Sequence, residues 1–153
     1  LARLEPDVPA FEGRGGPFSM QALVDRRPLV IYQIAMKPDA VISLHDHRDY
    51  NGVLLGLEGE AKCRNFDFVQ AEGIPAKGPP FLIREEASVT LRPGRIATLA
   101  RRRHNIHQVV AGPKGARLLD VFTFFEEGAR SYWIDFDDTP VDAAKGLFEV
   151  RWA

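Results

Sequence analysis

Residues 42–68 read ISLHDHRDYNGVLLGLEGEAKCRNFDF. The stretch predicts three short β-strands in a row: Val41 to His47, Gly52 to Leu57 and Ala61 to Phe68. Its apolar and branched residues come in short runs bounded by turn formers, of which Glu58-Gly59-Glu60 is the clearest, and that is the pattern of a sandwich or barrel. His45 and His47 lie two apart in the first run. Strand side chains alternate faces, so both imidazoles point one way and Asp46 the other.

The same text continues in both directions. Upstream, Leu29 to Met36 is a strong strand that closes at Pro38-Asp39. Downstream, further strands are expected at Phe81 to Arg84, Ser88 to Arg92, Ile96 to Leu99, Ile106 to Val110, Arg117 to Phe125, Ser131 to Phe136 and Leu147 to Trp152. Pro93-Gly94 and Gly112-Pro113-Lys114-Gly115 mark turns, and Glu72 to Pro80 is a loop rich in Gly and Pro. Helix is scarce: a short one over Val141 to Lys145 and a single turn over Met20 to Val24. Residues 1–17 carry three prolines and three glycines and read as an extended arm. The expected fold is therefore all-β, one jelly-roll-type barrel over residues 1–153, because such a barrel hides the edges of many short strands.

Composition narrows the function classes. The chain has 153 residues, room for one core. It is 45% hydrophobic and 27% charged, as globular proteins are. Twenty basic residues against 21 acidic ones give a net charge of −1. Nucleic acid is thus not an expected partner. The run Arg101-Arg102-Arg103 reads first as a solvated loop and second as an anion site. No apolar run reaches the roughly 20 residues that a membrane helix needs, so no membrane partner is expected. A lone cysteine, Cys63, fits a reducing compartment, and the expected location is the cytoplasm. The chain starts at Leu1, which leaves open a targeting segment removed before it.

Two imidazoles on one strand face, about 7 Å apart along the strand, can hold one metal if a third ligand arrives from elsewhere. His107, 60 residues after His47 in another expected strand, can be that ligand. Against this stands the reading of exposed strand histidines and a satisfied core histidine, which a lone pair at i, i+2 would favour.

The residues around these histidines resemble the cupin superfamily. Residues 45–59 read HDHRDYNGVLLGLEG and residues 94–107 read GRIATLARRRHNIH. Cupins carry His-x-His, a Glu a few residues on and a Gly at the next turn, then a His in a second motif. Here Gly52 stands where the Glu would, so the resemblance implies a three-histidine site without a carboxylate. Within cupins the chain looks like the thiol dioxygenases, nearest the cysteamine dioxygenase and plant cysteine oxidase group. The matching pieces are ISLHDHRDY at 42–50, GEAKCRNFDF at 59–68, NIH at 105–107 and LLDV at 118–121. They span roughly residues 29–125.

The resemblance implies iron(II) on His45, His47 and His107, with zinc or another divalent metal as competitor. It implies oxidation of a small thiol by O2 to a sulfinic acid. It also makes Asp120 a catalytic or substrate contact, although an Asp in so apolar a strand can equally be a paired buried acid. Tyr32, Gln33 and Tyr50 are candidate substrate contacts, with packing as the plainer reading of each.

The chain departs from these enzymes at several places. Leu118-Leu119-Asp120-Val121-Phe122 replaces a Ser-x-His-x-Tyr run, and Gly52 replaces a crosslinked Cys. Arg26 and Arg27 are displaced from the carboxylate-holding position of cysteine dioxygenases, and Phe124-Phe125-Glu126 stands where the plant-type group has a Tyr. Arg48 and Tyr50 replace its Pro and Met. Two other readings remain open: a metal-holding cupin with a different dioxygenase reaction, and a non-catalytic barrel for a small ligand. Cupins commonly pair through their sheets, so a homodimer is a possible assembly.

Overall fold

A computed structural model describes residues 16–70, 73–125, 128 and 130–153. Of the arm expected over residues 1–17, only Gly16 and Pro17 fall among them. The architecture hangs on two strands of 19 residues each, β4 (Tyr50–Phe68) and β7 (Ile106–Phe124), which pair antiparallel along nearly their whole length. The other strands are β1 (Phe18–Arg26), β2 (Leu29–Met36), β3 (Val41–Asp46), β5 (Phe81–Leu91), β6 (Ile96–Leu99), β8 (Ile134–Asp135), β9 (Pro140–Asp142) and β10 (Leu147–Trp152). All belong to one connected antiparallel sheet.

Each long strand serves both halves of the barrel. The first half of β4 pairs the second half of β7 and, on its other side, β6; β2 and then β1 extend that half-sheet beyond β7. The second half of β4 pairs the first half of β7, which carries β3 on its far side, while β5 and β10 extend outward from β4. One core receives side chains from both halves: Ile34 and Met36 of β2, Leu54 and Cys63 of β4, Leu91 of β5, Val109 and Leu118 of β7. A second core is shared by β8 and β10 with β3, β5, the second half of β4 and the first half of β7. It contains Leu44, Phe66, Ile83, Ile106, Ile134 and Phe148.

The structure corrects several sequence expectations. Glu58-Gly59-Glu60 and Gly112 to Gly115 do not reverse the chain; both lie inside continuous strands. There Gly59 (φ 64°) pairs Ala116, next to Gly115 (φ 76°); a Cβ on Gly59 would run into the Gly115 carbonyl, and one on Gly115 into the Met36 carbonyl. A left-handed glycine lets a strand bend as readily as turn. Phe81 to Leu91 is likewise one strand rather than two. The helical turn expected over Met20 to Val24 is strand β1, with a bulge between Ala22 and Val24, because pairing to β2 decides its conformation. Ser131 to Phe136 keeps strand geometry only at Ile134–Asp135. The helix near Val141 is a three-residue 3-10 turn, Ala143–Lys145, capped by Asp142 and ended by Gly146.

Candidate metal centre

The three histidines expected as ligands meet. The Nε2 atoms of His45, His47 and His107 form a triangle with 3.0 Å on every side. All three rings are buried; His45 is on β3 and His107 on β7, while His47 follows the end of β3.

A bulge in β3 puts them there. Ile42 pairs Val109 and His45 pairs His107, so three steps along β3 match two along β7. Ser43 and Leu44 absorb the extra residue. Without the bulge, Ile42 and His45 would face opposite sides; with it, both face the barrel interior. The bulge also leaves the Ser43 carbonyl free to accept from His45 Nδ1 at 2.8 Å. A proton held on Nδ1 leaves the Nε2 lone pair for a metal. His107 Nδ1 lies 3.7 Å from Cys63 Sγ, which in turn lies 3.7 Å from Asn65 Oδ1. Burial pushes the Cys63 thiol up to about 12, so it stays protonated. Cys63 is thus a buried wall residue behind His107.

Burial lowers the pKa of His45 to about 4, against a partial lift from its bond to Ser43. Burial also drives His47 and His107 well below the usual histidine range, and the neighbouring rings lower them further. Three neutral imidazoles with converging nitrogens repel one another unless a cation lies between them. The three nitrogens lie close enough together for His45, His47 and His107 to hold one divalent ion.

Gly52 shows why no carboxylate joins them. It pairs Phe122 on one side and Leu99 on the other. A Cβ at position 52 would come 3.2 Å from Phe122 Cδ1 and 3.3 Å from Leu99 Cδ1. The Phe122 ring fills the space a longer side chain would cross, and it packs 5.6 Å from the His47 ring.

His45 and His107 face a cavity of about 390 Å³, with His47 buried behind them. Tyr32, Tyr50 and Asp120 line it together with His45 and His107, so three of the four other expected site residues share the space. Gln33 does not line it. Tyr32 pairs Asp120 and faces inward; its neighbour Gln33 pairs Leu119 and faces the other side of the sheet. Asp120 is buried, its Oδ1 meets no hydrogen-bond partner among the described residues, and burial holds its carboxyl well above the usual range. Tyr50 packs 4.4 Å from the His47 ring, its hydroxyl bonds Ser131 Oγ, and burial raises its phenol pKa.

Sequence reasoning missed the segment that roofs the cavity, Arg130 to Trp133. Asp46, between the two ligand histidines, holds it. The Asp46 amide donates to the Tyr132 carbonyl at 3.0 Å, and the Tyr132 amide donates to Asp46 Oδ1 at 2.9 Å. Arg48 pairs with the same carboxylate and lies over the rings of Tyr132 (4.1 Å) and Trp152 (4.7 Å). Burial pushes the Asp46 carboxyl up, while Arg48 and the Tyr132 amide pull it down. Trp133 bridges to His45 across the backbone and packs 4.8 Å from its ring. These contacts join residues more than 80 positions apart, and no local pattern announces them.

No family model and no curated protein matches the sequence. Solved structures do match the fold. A protein with a double-stranded β-helix domain from Klebsiella pneumoniae superposes with a TM-score of 0.56, at 15% identity over 78% of this chain and 86% of that one. The chain has the cupin fold. KdgF from a Halomonas species matches at TM-score 0.52 and 15% identity, covering 72% of this chain and 82% of its own. An RmlC-like cupin from Shewanella frigidimarina matches at 0.51 and 22% identity, covering 76% and 84%. On this fold the three-histidine cluster can hold a divalent metal.

Proposed function

We propose that this protein is an iron(II)-dependent thiol dioxygenase of the cupin superfamily. The observation that carries the reading is the donor set: three buried neutral imidazoles, with Phe122 standing where a carboxylate ligand would have to pass. Three neutral ligands leave a divalent ion its full charge, which favours an anionic ligand such as a thiolate. The proposed reaction is R–SH + O2 → R–SO2H. Sulfur gives up four electrons, O2 takes four, and both oxygen atoms end on sulfur, so no further reductant is needed.

Iron(II) held by the triad would supply O2 activation and would stabilise the thiolate form of a bound thiol. The chain's own residues do the rest. The aromatic walls formed by Tyr50, Phe122 and Phe124 keep bulk water away from the reacting end. Asp120, neutral in its buried setting, can hold or deliver a proton at its unpartnered Oδ1. The Ser43 carbonyl and Cys63 hold the rings of His45 and His107 in place.

The test is O2 consumption by iron(II)-loaded protein with cysteine, cysteamine, 3-mercaptopropionate, longer mercaptoalkanoates and a Cys-initiated peptide. Uptake with a sulfinate product, lost in His107→Ala, supports the proposal. Iron bound at the triad without uptake on any thiol refutes it, and leaves a metal-holding cupin with a different reaction.

A further inference from the structure

We propose a second binding site, a polar cleft apart from the histidine cavity, that takes a small phosphorylated polyol with Arg101 and Arg102 on its phosphate. The site does not rest on the thiol dioxygenase reading.

The cleft has a volume of about 720 Å³. It is formed by the loop after β3, the end of β4 and the turn between β6 and β7. Among the described residues it shares none of its lining with the histidine cavity. A sugar phosphate is within the size such a cleft accepts.

Two arginines stand at the tip of a pinned turn. The Ala100 amide donates to the Arg103 carbonyl at 3.0 Å and the Arg103 amide to the Ala100 carbonyl at 3.1 Å, which leaves Arg101 and Arg102 as the tip. The Arg101 amide donates to Asn51 Oδ1 at 3.3 Å, and the Arg101 carbonyl accepts from Asn105 Nδ2 at 3.1 Å. A turn held from both sides gives up little further backbone freedom when a ligand binds. Both arginines are exposed and line the cleft, and neither makes an ion pair among the described residues. Arg101 lies 5.7 Å from the Phe125 ring, and the Arg102 side chain has no partner among the described residues. Two adjacent guanidinium forks match the oxygens of one phosphate and its double charge.

The rest of the lining selects the body of the ligand. Asp49 and Asp67 line the same cleft, and neither pairs with a cation among the described residues. They would repel a bare anion, but carboxylates accept from hydroxyl groups. Gln70 adds an amide, and the buried Asn105 has an Oδ1 with no hydrogen-bond partner among the described residues. Phe68 and Ile74 offer apolar contact to a carbon skeleton. Arg48 lines the cleft too, but Asp46 answers its charge. A molecule with a phosphate at one end and hydroxyls along its body meets both halves of this lining. Inorganic phosphate meets one half, and an uncharged sugar the other.

Titration calorimetry on the full chain tests this with glucose 6-phosphate, inorganic phosphate and glucose. Glucose 6-phosphate should bind about tenfold more tightly than inorganic phosphate, and glucose most weakly. Arg102→Gln should weaken both phosphate ligands by about tenfold or more with the melting temperature unchanged, since that side chain touches nothing in the fold. Arg101→Gln should weaken them likewise. Asp49→Ala should tighten inorganic phosphate, by removing a repelling charge, and narrow the preference for glucose 6-phosphate. Affinities unchanged in both arginine variants would put the phosphate elsewhere, a metal on the histidines included, and overturn the site. Absence of binding by all three ligands overturns it too. Inorganic phosphate as tight as glucose 6-phosphate, or Asp49→Ala without effect on their ratio, overturns the polyol assignment.

Discussion

Acidifying the metal-free protein should unfold it through the histidine triad, and the size of the effect follows from burial. His45 has a folded pKa of about 4 against 6.5 for an ordinary histidine. Above pH 6.5 the ring is neutral folded or unfolded and contributes no pH dependence. Between pH 6.5 and about 4 the unfolded chain binds a proton that the folded chain refuses, so stability falls as pH falls. The slope approaches about 1.4 kcal/mol per pH unit, and over the window His45 alone removes about 3 kcal/mol. His47 and His107 are shifted in the same direction and add to the loss. Asp120 works the other way: its raised pKa means the folded state keeps a proton that the unfolded state gives up, so acid relieves that cost.

The assay is urea unfolding of the metal-free protein across this window, for the parent, His45→Gln and Asp120→Asn. The parent should lose stability on acidification. His45→Gln should lose less, by up to about 1.4 kcal/mol per pH unit, and Asp120→Asn should lose more than the parent. Metal should protect at neutral pH and be released on acidification as protons compete for the three nitrogens. A parent and a His45→Gln variant with the same pH slope would refute the reasoning, since the triad would then not be held neutral by burial.

Three further outcomes are expected. Gly52→Glu should cost about 1–3 kcal/mol in urea unfolding, because Phe122 and Leu99 must yield, and metal analysis should show no gain in affinity. Asp120→Asn should leave the melting temperature at neutral pH unchanged or raised, since a penalised buried acid is gone, while cutting turnover of whatever substrate the site accepts by about 100-fold or more. Asp46→Ala strips Arg48 and the Tyr132 amide of their acceptor together; it should cost about 3–5 kcal/mol and make Trp133 more accessible to a fluorescence quencher.

Much of the fold is legible in the residues. Leu29 to Met36, Ile96 to Leu99 and Leu147 to Trp152 are strands with the bounds their patterns imply, because each is a short alternating run stopped by turn formers. Period two also places His45 and His47 on one face. The same rule, carried one step further, separates Tyr32 from Gln33: adjacent residues of one strand cannot both line a cavity, and pairing to Asp120 selects Tyr32.

Other features have no local signal. A glycine with positive φ looks alike in sequence whether the chain reverses or bends, so Gly59 and Gly115 read as turns until β4 and β7 are seen running alongside each other. The β3 bulge is defined by counting against β7, and counting needs the partner. The strap from Arg130 to Trp133 is placed by hydrogen bonds to Asp46, more than 80 residues away.

The sequence by itself determined the all-β class, the ligand types and the absence of a carboxylate at position 52, since periodicity and residue identity are local properties of the chain. The tertiary structure decided the rest: that three Nε2 atoms meet at 3.0 Å, that Phe122 fills the space beside Gly52, and that Tyr132 and Trp133 are held beside the histidines by Asp46 and His45. Each of these depends on the register between strands far apart in the chain, and register is set by how the whole barrel packs, not by any one segment.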